Sequence, residues 1–397
     1  MPDRKRQKKN NSSQTNNDND NNDDTSKKLL DLLTSSIIDN SFDDDDFFNN
    51  LHETEKEEET EDESLWPLKE INKEIKTIDD LIELGKMYDP KLKERYNIDL
   101  KKLSKLVAPL EKLKNMIGLH NIKENIVGHI TYYLANLEDT TSDMMHTVIT
   151  GPPGVGKTEL GKILGDIYYN LGVLKGNKKR KSRFSDKSDS YTFKIIKRSD
   201  LIGKYLGQTA IKTQEVIDSC EGGVLFIDEA YSLGNPEGRD SFSKECIDTI
   251  NQNLTEKKSN FLCIIAGYKD SLDKCFFSYN EGLARRFTFR YNIEKYSADE
   301  LKQIFYIMVN NLGWEVKIDK LKTNFFKDNY SAFSNMAGDI ETLLFNCKIA
   351  HGKRVFCKPN EKKKLNIDDI NEGFKIFKEG RGNKDEERNR ILSHLYI

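Results

Sequence analysis

The sequence lacks any apolar run approaching the ~20 residues of a bilayer-spanning helix, and its polar N-terminus does not resemble a secretory signal. Its net charge of −3 gives no overall reason to expect nucleic acid or a membrane surface as a partner. The six cysteines form no CxxC pair, and no histidines stand at zinc-finger spacing. These absences predict a reduced, intracellular protein with ordinary buried thiols.

Residues 1–64 have low complexity. They contain a basic cluster, RKRQKK (Arg4–Lys9), an Asn/Asp tract and the acidic run ETEKEEETEDE. A segment of this composition buries too little apolar surface to offset the entropy lost on ordering, so we predict a disordered acidic tail. The basic cluster is compatible with nuclear import, but a solvated tail in a cytoplasmic protein is the favoured interpretation.

The rest of the chain changes from one pattern to the next. Weak helical periodicity is followed by short apolar runs that alternate with helical segments, which is typical of an α/β fold with a parallel sheet. The predicted strands are HTVIT, YTFKIIK, GVLFID, FLCIIA and FTFRY. The predicted divisions are a helical adaptor (65–115), an α/β core (116–296), a helical C-terminal domain (297–380) and a C-terminal tail (381–397).

The main chemical motif is GPPGVGKT, residues 151–158, which matches the phosphate-binding pattern G-x-x-x-x-G-K-[ST]. It lies between a predicted strand and a predicted helix, where backbone N–H groups and the helix dipole can face phosphate oxygens. Lys157 is expected to reach the β- and γ-phosphates of ATP, and the Thr158 hydroxyl to bind Mg²⁺. The predicted nucleotide-binding residues of this loop are Gly151, Pro152, Pro153, Gly154, Val155, Gly156, Lys157 and Thr158.

A second motif, GVLFIDEA, places two acidic residues at the end of an apolar strand. Asp228 is expected to hold Mg²⁺ or its water, and Glu229 to orient and polarise the attacking water. Two consecutive acids after such a strand suit hydrolysis, because one can hold the metal while the other activates water as the nucleophile. The pair therefore predicts an ATPase rather than a small-molecule kinase.

A third motif, GLARRF, precedes the last predicted strand. An arginine at this edge could reach the γ-phosphate of a nucleotide bound by a neighbouring subunit. A pair of ordinary surface arginines explains these residues equally well. A basic insert at residues 175–190 would suit a nucleic-acid motor, but a solvated loop is favoured and nucleic acid is not an expected partner.

The run RSDLIGKYLGQTAIKTQEVIDSCEGGVLFIDEAYSL, followed by IDTINQNL, IIAGYKDSLDKCF and EGLARRF, resembles the CbxX/CfqX family of AAA+ ATPases. That family includes the red-type Rubisco activases and relatives of stage V sporulation protein K. The resemblance covers roughly residues 116–380. It implies an AAA+ P-loop core with a five-stranded parallel sheet, a helical lid domain, ATP and Mg²⁺ as ligands, and a homo-oligomeric ring expected to be a hexamer. It also implies remodelling of a protein client, whose identity stays open.

Several residue roles follow from the resemblance alone. Ile117 and Gly118 match the segment that borders the adenine in the family. Arg286 matches the arginine finger, and Tyr268 stands at the sensor 1 position, where many other AAA+ proteins carry asparagine.

One further segment and one single residue bear on how ATP hydrolysis is coupled to work. Tyr205, Leu206 and Gly207 stand where AAA+ rings carry an aromatic–hydrophobic–glycine pore loop. Gly338, in NMAGDIETLL, stands where the family's lid carries an arginine that senses the γ-phosphate. That departure keeps an alternative open, in which the protein is an ATP-binding scaffold or switch with slow or no hydrolysis.

Overall fold

The computed structural model describes most of the chain beyond residue 65, with side chains as far as Arg381. The predicted N-terminal tail (1–64), most of the basic insert and Leu206 lie outside the described residues. The described residues are 66–92, 94–139, 144–176, 191–205, 207–235, 237, 240–258, 261–316, 324–358 and 361–395.

The predicted α/β class is confirmed by a five-stranded sheet in which all neighbouring strands are parallel. The strands of the described residues are β1 (Leu68–Lys69), β2 (Arg95–Tyr96), β3 (Thr147–Thr150), β4 (Phe193–Ile196), β5 (Val224–Ile227), β6 (Leu262–Gly267), β7 (Phe289–Asn292), β8 (Glu315–Val316) and β9 (Lys364–Leu365). The main sheet has the order β4-β5-β6-β3-β7, and each of its strands falls on one of the five predicted runs. The other four strands form two short parallel pairs.

Helices precede, connect and follow these strands. Those of the described residues are α1 (Ile78–Lys86), α2 (Leu100–Asn115), α3 (His120–Leu134), α4 (Lys157–Asn170), α5 (Arg198–Leu201), α6 (Gln208–Asp218), α7 (Ser241–Glu256), α8 (Lys269–Cys275), α9 (Glu281–Arg286), α10 (Ala298–Asn311), α11 (Phe325–Asp328), α12 (Ala337–Val355) and α13 (Ile367–Leu395). Within the residues described, no helix is both long and apolar enough to cross a membrane.

Burial separates the centre of the sheet from its edges. Every residue of β3, β5 and β6 is buried, as expected for strands covered on both faces. The edge strands β4 and β7 are partly exposed, and Ile195 in β4 is 45% exposed. The exposed residues of the main sheet therefore lie on its edge strands.

Two apolar layers cover the sheet. Leu160 and Leu164 of α4 belong to one layer, while Cys246 and Ile250 of α7 belong to the other. The helical spacing of these residues in the sequence predicts both faces correctly. The layers leave the carboxyl ends of the strands at one edge of the sheet, where the predicted site residues follow.

Helix α2 packs against this core rather than standing apart from it. Leu106, Leu110 and Leu113 are fully buried and share one apolar cluster with α4. A salt bridge of 3.0 Å between Lys112 Nζ and Asp166 Oδ2 also joins the two helices. A separate adaptor at residues 65–115 stays a prediction about domain boundaries.

The C-terminal helices begin at a capping box formed by Ser297 and Glu300. The Ser297 side chain accepts a hydrogen bond from the Glu300 backbone, and the Glu300 side chain accepts one from the Ser297 backbone. This start turns Leu301 and Phe305 of α10 into the core. Helix α13 runs continuously through residue 380, the end of the predicted C-terminal domain.

Candidate active site

Residues that follow three neighbouring strands meet in one cavity of about 430 Å³. The P-loop (residues 151–158) follows β3, the two acidic residues follow β5, and Tyr268 follows β6. Parallel strands bring these ends together at one edge of the sheet. The cavity is lined by Pro153, Gly154, Gly156, Lys157, Thr158, Glu159, Asp228, Glu229, Tyr231, Gly267 and Tyr268.

The backbone of the P-loop follows its glycines. Gly151, Gly154 and Gly156 have φ values of 152°, 71° and 87°, a region that side chains make costly. Gly151 N–H donates to the Gly267 carbonyl at 3.2 Å, which fixes the loop to the end of β6. Val155 is buried beneath the loop, and α4 starts at Lys157. The loop thus leads directly into a helix N-terminus, an arrangement that favours a bound phosphate.

Lys157 is held inside the loop. Its ammonium donates to the carbonyl oxygens of Gly151 at 3.0 Å and Pro152 at 2.7 Å, and lies 5.6 Å from the centroid of the Tyr268 ring. Burial lowers the pKa of Lys157, while the negative charges of Asp228 and Glu229 act in the opposite direction. The cation therefore stands between neutral carbonyls and two carboxylates, where phosphate oxygens can replace the carbonyls.

Asp228 and Glu229 both line the cavity, but their backbones differ. Asp228 continues the sheet, since its N–H donates to the Ile196 carbonyl at 3.1 Å. Glu229 has a φ of 51°, an uncommon left-handed conformation for a residue with a side chain. This turn presents two successive side chains to one cavity, which an extended strand would send to opposite faces.

The donor set at this end of the cavity fits Mg²⁺. Thr158 supplies a hydroxyl oxygen and Asp228 a carboxylate, and hard oxygen ligands are those that Mg²⁺ prefers. Asp228 Oδ1 accepts a hydrogen bond from the Glu229 N–H at 3.0 Å, which fixes the carboxylate's orientation. Mg²⁺ keeps several waters and binds through one or two protein groups plus phosphates, so two residues suffice.

Tyr231 belongs to the cavity, although the sequence reasoning missed it. Its ring lies 5.6 Å from the ring of Tyr268, and burial together with the charge of Glu229 and a hydrogen bond to it raises the pKa of Tyr231 to about 12. The sequence feature that could have identified Tyr231 is its position two residues after Glu229, in DEAYSL. Tyr231 therefore contacts both the predicted water-orienting residue and the predicted sensor 1 residue.

The segment assigned to the adenine lies beside the P-loop. A Cβ added at Gly156 would lie 3.2 Å from Met116 Cε, immediately before Ile117. Ile117 is partly buried against the core, and Gly118 lines a second cavity of about 210 Å³ with Tyr296. The role of Ile117 and Gly118 in adenine binding stays a prediction.

The start of α12 contacts the P-loop directly. Ala337 N–H donates to the Gly154 carbonyl at 3.1 Å, and a Cβ added at Gly154 would lie only 2.0 Å from the Asn335 carbonyl oxygen. Only glycine fits such a close approach. Gly338 is the second residue of α12, and a Cβ built there meets nothing within 4 Å. The start of α12 thus contacts the P-loop through backbone atoms. At Gly338 there is space for a side chain, although glycine has none.

Several predicted residues lie outside the lining of the cavity, among them Arg286 and Tyr205. Arg286 donates through Nε to Thr255 Oγ1 at 2.6 Å and through Nη1 to the Gly282 carbonyl at 2.8 Å. Tyr205 is 70% exposed, and Gly207 immediately precedes α6 with a φ of 83°. The structure therefore brings together the P-loop, Asp228, Glu229 and Tyr268, and places Arg286 and Tyr205 elsewhere on the same chain.

Comparisons with known proteins agree with this arrangement. The model of the ATPase family associated with various cellular activities (AAA) matches residues 147–294. A CfxQ-like protein of Acanthamoeba polyphaga mimivirus is 43% identical over 325 residues, covering 81% of this chain and 76% of that protein. The chloroplastic ribulose bisphosphate carboxylase/oxygenase activase of Cyanidioschyzon merolae is 32% identical over 259 residues, covering 63% and 83%. Stage V sporulation protein K of Bacillus subtilis is 30% identical over 218 residues, covering 53% and 63%.

The fold and the cavity define the class first: a nucleotide-binding AAA+ ATPase, built on a P-loop and a parallel sheet. Within that class, the chain belongs to the CbxX/CfqX family, whose members' names are also written CfxQ. The resemblance seen in the sequence and the ATPase class inferred from its motifs are both confirmed.

Proposed function

We propose that the protein is a Mg²⁺-dependent ATPase that assembles into a ring, expected to be a hexamer, and remodels a protein client through its central pore. The observation that carries the proposal is the single cavity shared by Lys157, Thr158, Asp228 and Glu229. An ATPase needs a cation, a metal ligand and a water-orienting acid around one phosphate, and these are the residue types that line it.

Each residue of the cavity has a distinct task in this proposal. The P-loop backbone and Lys157 hold the β- and γ-phosphates, and Lys157 exchanges its two carbonyl partners for phosphate oxygens. Mg²⁺, held by Thr158 and Asp228, would neutralise charge on the transferring phosphoryl group. Glu229 orients and polarises water, while Tyr268 senses the phosphate. Tyr231 keeps the Glu229 carboxylate in place through its hydroxyl.

Arg286 supports the assembly part of the proposal. It ends α9 just before the edge strand β7, and it does not line the cavity of its own chain. An arginine so placed is available to a nucleotide bound by a neighbouring subunit, where it stabilises charge on the transferring phosphoryl group. Its present partners, a hydroxyl and a carbonyl, are neutral and are readily exchanged for a phosphate.

Arg286→Ala tests this assignment. Nucleotide binding, measured by titration with a fluorescent ADP analogue, should stay within about 3-fold of the wild type, whereas hydrolysis should fall by about 10³-fold. Arg285→Ala is the matched control, because Arg285 is the exposed neighbour on the same helix. Equal loss of activity in both variants would argue against a specific role for Arg286.

Tyr205 supports the client part of the proposal. Tyr205 is largely exposed. An aromatic side chain offers a large contact area and loses little conformational entropy when it binds a partner. Such a ring can contact varied chain segments without sequence-specific hydrogen bonds. A pore that acts on a polypeptide requires this type of contact.

One observation favours the scaffold alternative. Gly338 offers no side chain to the phosphates, although the space around it is open. A lid without a phosphate-sensing arginine would close on ATP with less selectivity and could leave hydrolysis slow. Steady-state phosphate release separates the two functions: the scaffold predicts release at background, and the ring ATPase predicts release that disappears in Glu229→Gln.

A further inference from the structure

Arg198 joins segments that are far apart in the sequence. It begins α5, directly after the edge strand β4. Its Nη1 donates to the carbonyl oxygens of Ser232 at 2.8 Å and Leu233 at 3.0 Å, and to Ser243 Oγ at 2.9 Å. Its Nη2 donates to Asp240 Oδ2 at 2.7 Å. One side chain thus connects the end of β4, the turn after β5 and the first turn of α7.

The carbonyls that accept from Arg198 belong to the turn that begins at Glu229. This turn, residues 229–233, includes a short 3₁₀ helix at Ala230–Leu233. Ser232 N–H donates to the Glu229 carbonyl at 2.7 Å, so Ser232 is bonded to Glu229 on one side and to Arg198 on the other. A movement of the Glu229 backbone would therefore displace an oxygen that holds Arg198.

On its other side, Arg198 leads into the exposed segment that carries Tyr205. The base of this segment is fixed to α6, because Lys212 Nζ donates to the carbonyls of Ser199 at 2.7 Å and Ile202 at 2.9 Å. Its tip at Tyr205 points into solvent. The Tyr205 carbonyl accepts from Gln208 N–H at 3.2 Å, and Gly203 N–H donates to Thr209 Oγ1 at 3.1 Å. Residues 199–205, which we name the Tyr205 segment, therefore have a backbone bonded to α6 and an exposed aromatic side chain at the tip.

The chemistry of these contacts suits arginine in particular. A guanidinium has five N–H donors in a rigid plane, so it can serve a carboxylate, a hydroxyl and two carbonyls together. A lysine ammonium lacks that planar reach. Hydrogen bonds from Ser243 and Arg198 lower the pKa of Asp240, which keeps this partner ionised at neutral pH.

The geometry points to Arg198 as a positioning residue that transmits the nucleotide state of the Glu229 turn to the Tyr205 segment. This inference rests on the proposed function, and it deepens it by naming the contact through which hydrolysis acts on the client-binding tip. Arg198 does not line the nucleotide cavity, so it takes no part in the chemical step itself.

Hydrogen–deuterium exchange of the full-length protein tests the inference without a client. Exchange is measured for peptides covering residues 199–205, with and without Mg²⁺ and a non-hydrolysable ATP analogue. In the wild type, the nucleotide should change exchange in this segment by at least about 3-fold. Arg198→Met keeps the apolar stem but removes every donor. It should bind the analogue within about 3-fold of the wild type and lose the response of the segment.

Lys212→Met is the matched control. Lys212 bonds the base of the same segment, but its contacts are to Ser199 and Ile202 rather than to the Glu229 turn. This variant should exchange faster in the free protein and still respond to the nucleotide. Arg198→Lys keeps the charge beside Asp240 and should retain at most about half of the response.

A full nucleotide response in Arg198→Met would overturn the inference, as would a wild type that binds the analogue without any response in this segment. If Arg198→Met does not fold, a full response in Arg198→Lys has the same meaning. The proposed function fails separately, if the wild type binds ATP and releases phosphate only at background.

Discussion

The nucleotide cavity and the Tyr205 segment differ in how much of their final geometry exists before any ligand binds. In the cavity, positive-φ glycines and strand ends hold each polar group in place, and Lys157 already has two carbonyl partners. In the Tyr205 segment, the backbone is hydrogen-bonded to α6, but the aromatic side chain is 70% exposed. The comparison indicates that the cavity is preorganised, whereas the aromatic side chain that we propose for client contact can adapt to its partner.

The largest effect should come from removing the acid that we propose orients water. Glu229→Gln keeps the shape of the side chain but removes its negative charge, so ATP should still bind while turnover falls by about 10²–10⁴-fold. Phosphate release and nucleotide titration measure the two quantities. The exposed Glu124→Gln is a control for the loss of one negative charge. Unchanged turnover in Glu229→Gln would refute the water-orienting role.

A substitution in the Tyr205 segment should leave the cavity able to bind nucleotide. In Tyr205→Ala, stimulation of the ATPase by an unfolded polypeptide, such as reduced carboxymethylated α-lactalbumin, should be lost, because the large contact area of the ring is gone. Tyr205→Phe keeps that area and should retain most of the stimulation. Loss of nucleotide binding in Tyr205→Ala would instead show that the ring supports the core.

The smallest effect concerns a residue that acts through another. Tyr231→Phe removes the hydroxyl whose pKa is raised by Glu229 and keeps the ring beside Tyr268. We expect the kcat for ATP to fall by about 3- to 10-fold with little change in KM, because one partly exposed hydrogen bond to a charged group is lost. Tyr231→Leu also removes the ring and should lower protein stability. A rise in KM without a change in kcat would place Tyr231 in nucleotide binding instead.

Local patterns account for much of the fold. The five core strands, the capping box at Ser297 and the P-loop were all predictable, because strand composition, capping chemistry and the glycine spacing are written in neighbouring residues. The meeting of Asp228 with the P-loop followed from the rule that parallel strands end at one edge.

Contacts between distant residues could not be predicted in the same way. No sequence pattern around Arg198 indicates that its guanidinium donates to carbonyls 34 and 35 positions later. The close approach of Gly154 to Asn335 and the packing of α2 on α4 depend likewise on how separate elements meet. Edge exposure of β4 follows from strand order, which the apolar runs alone do not specify.

If one active site draws residues from two subunits, as we propose, then mixing two inactive variants should restore hydrolysis. Arg286→Ala and Glu229→Gln should each be nearly inactive. Mixed in equal amounts, they should recover about a quarter of the wild-type hydrolysis rate, because that share of interfaces pairs an intact Glu229 with an intact Arg286. Recovery at that level is the predicted result. A mixture as inactive as its components, under conditions where subunits exchange, would contradict the account.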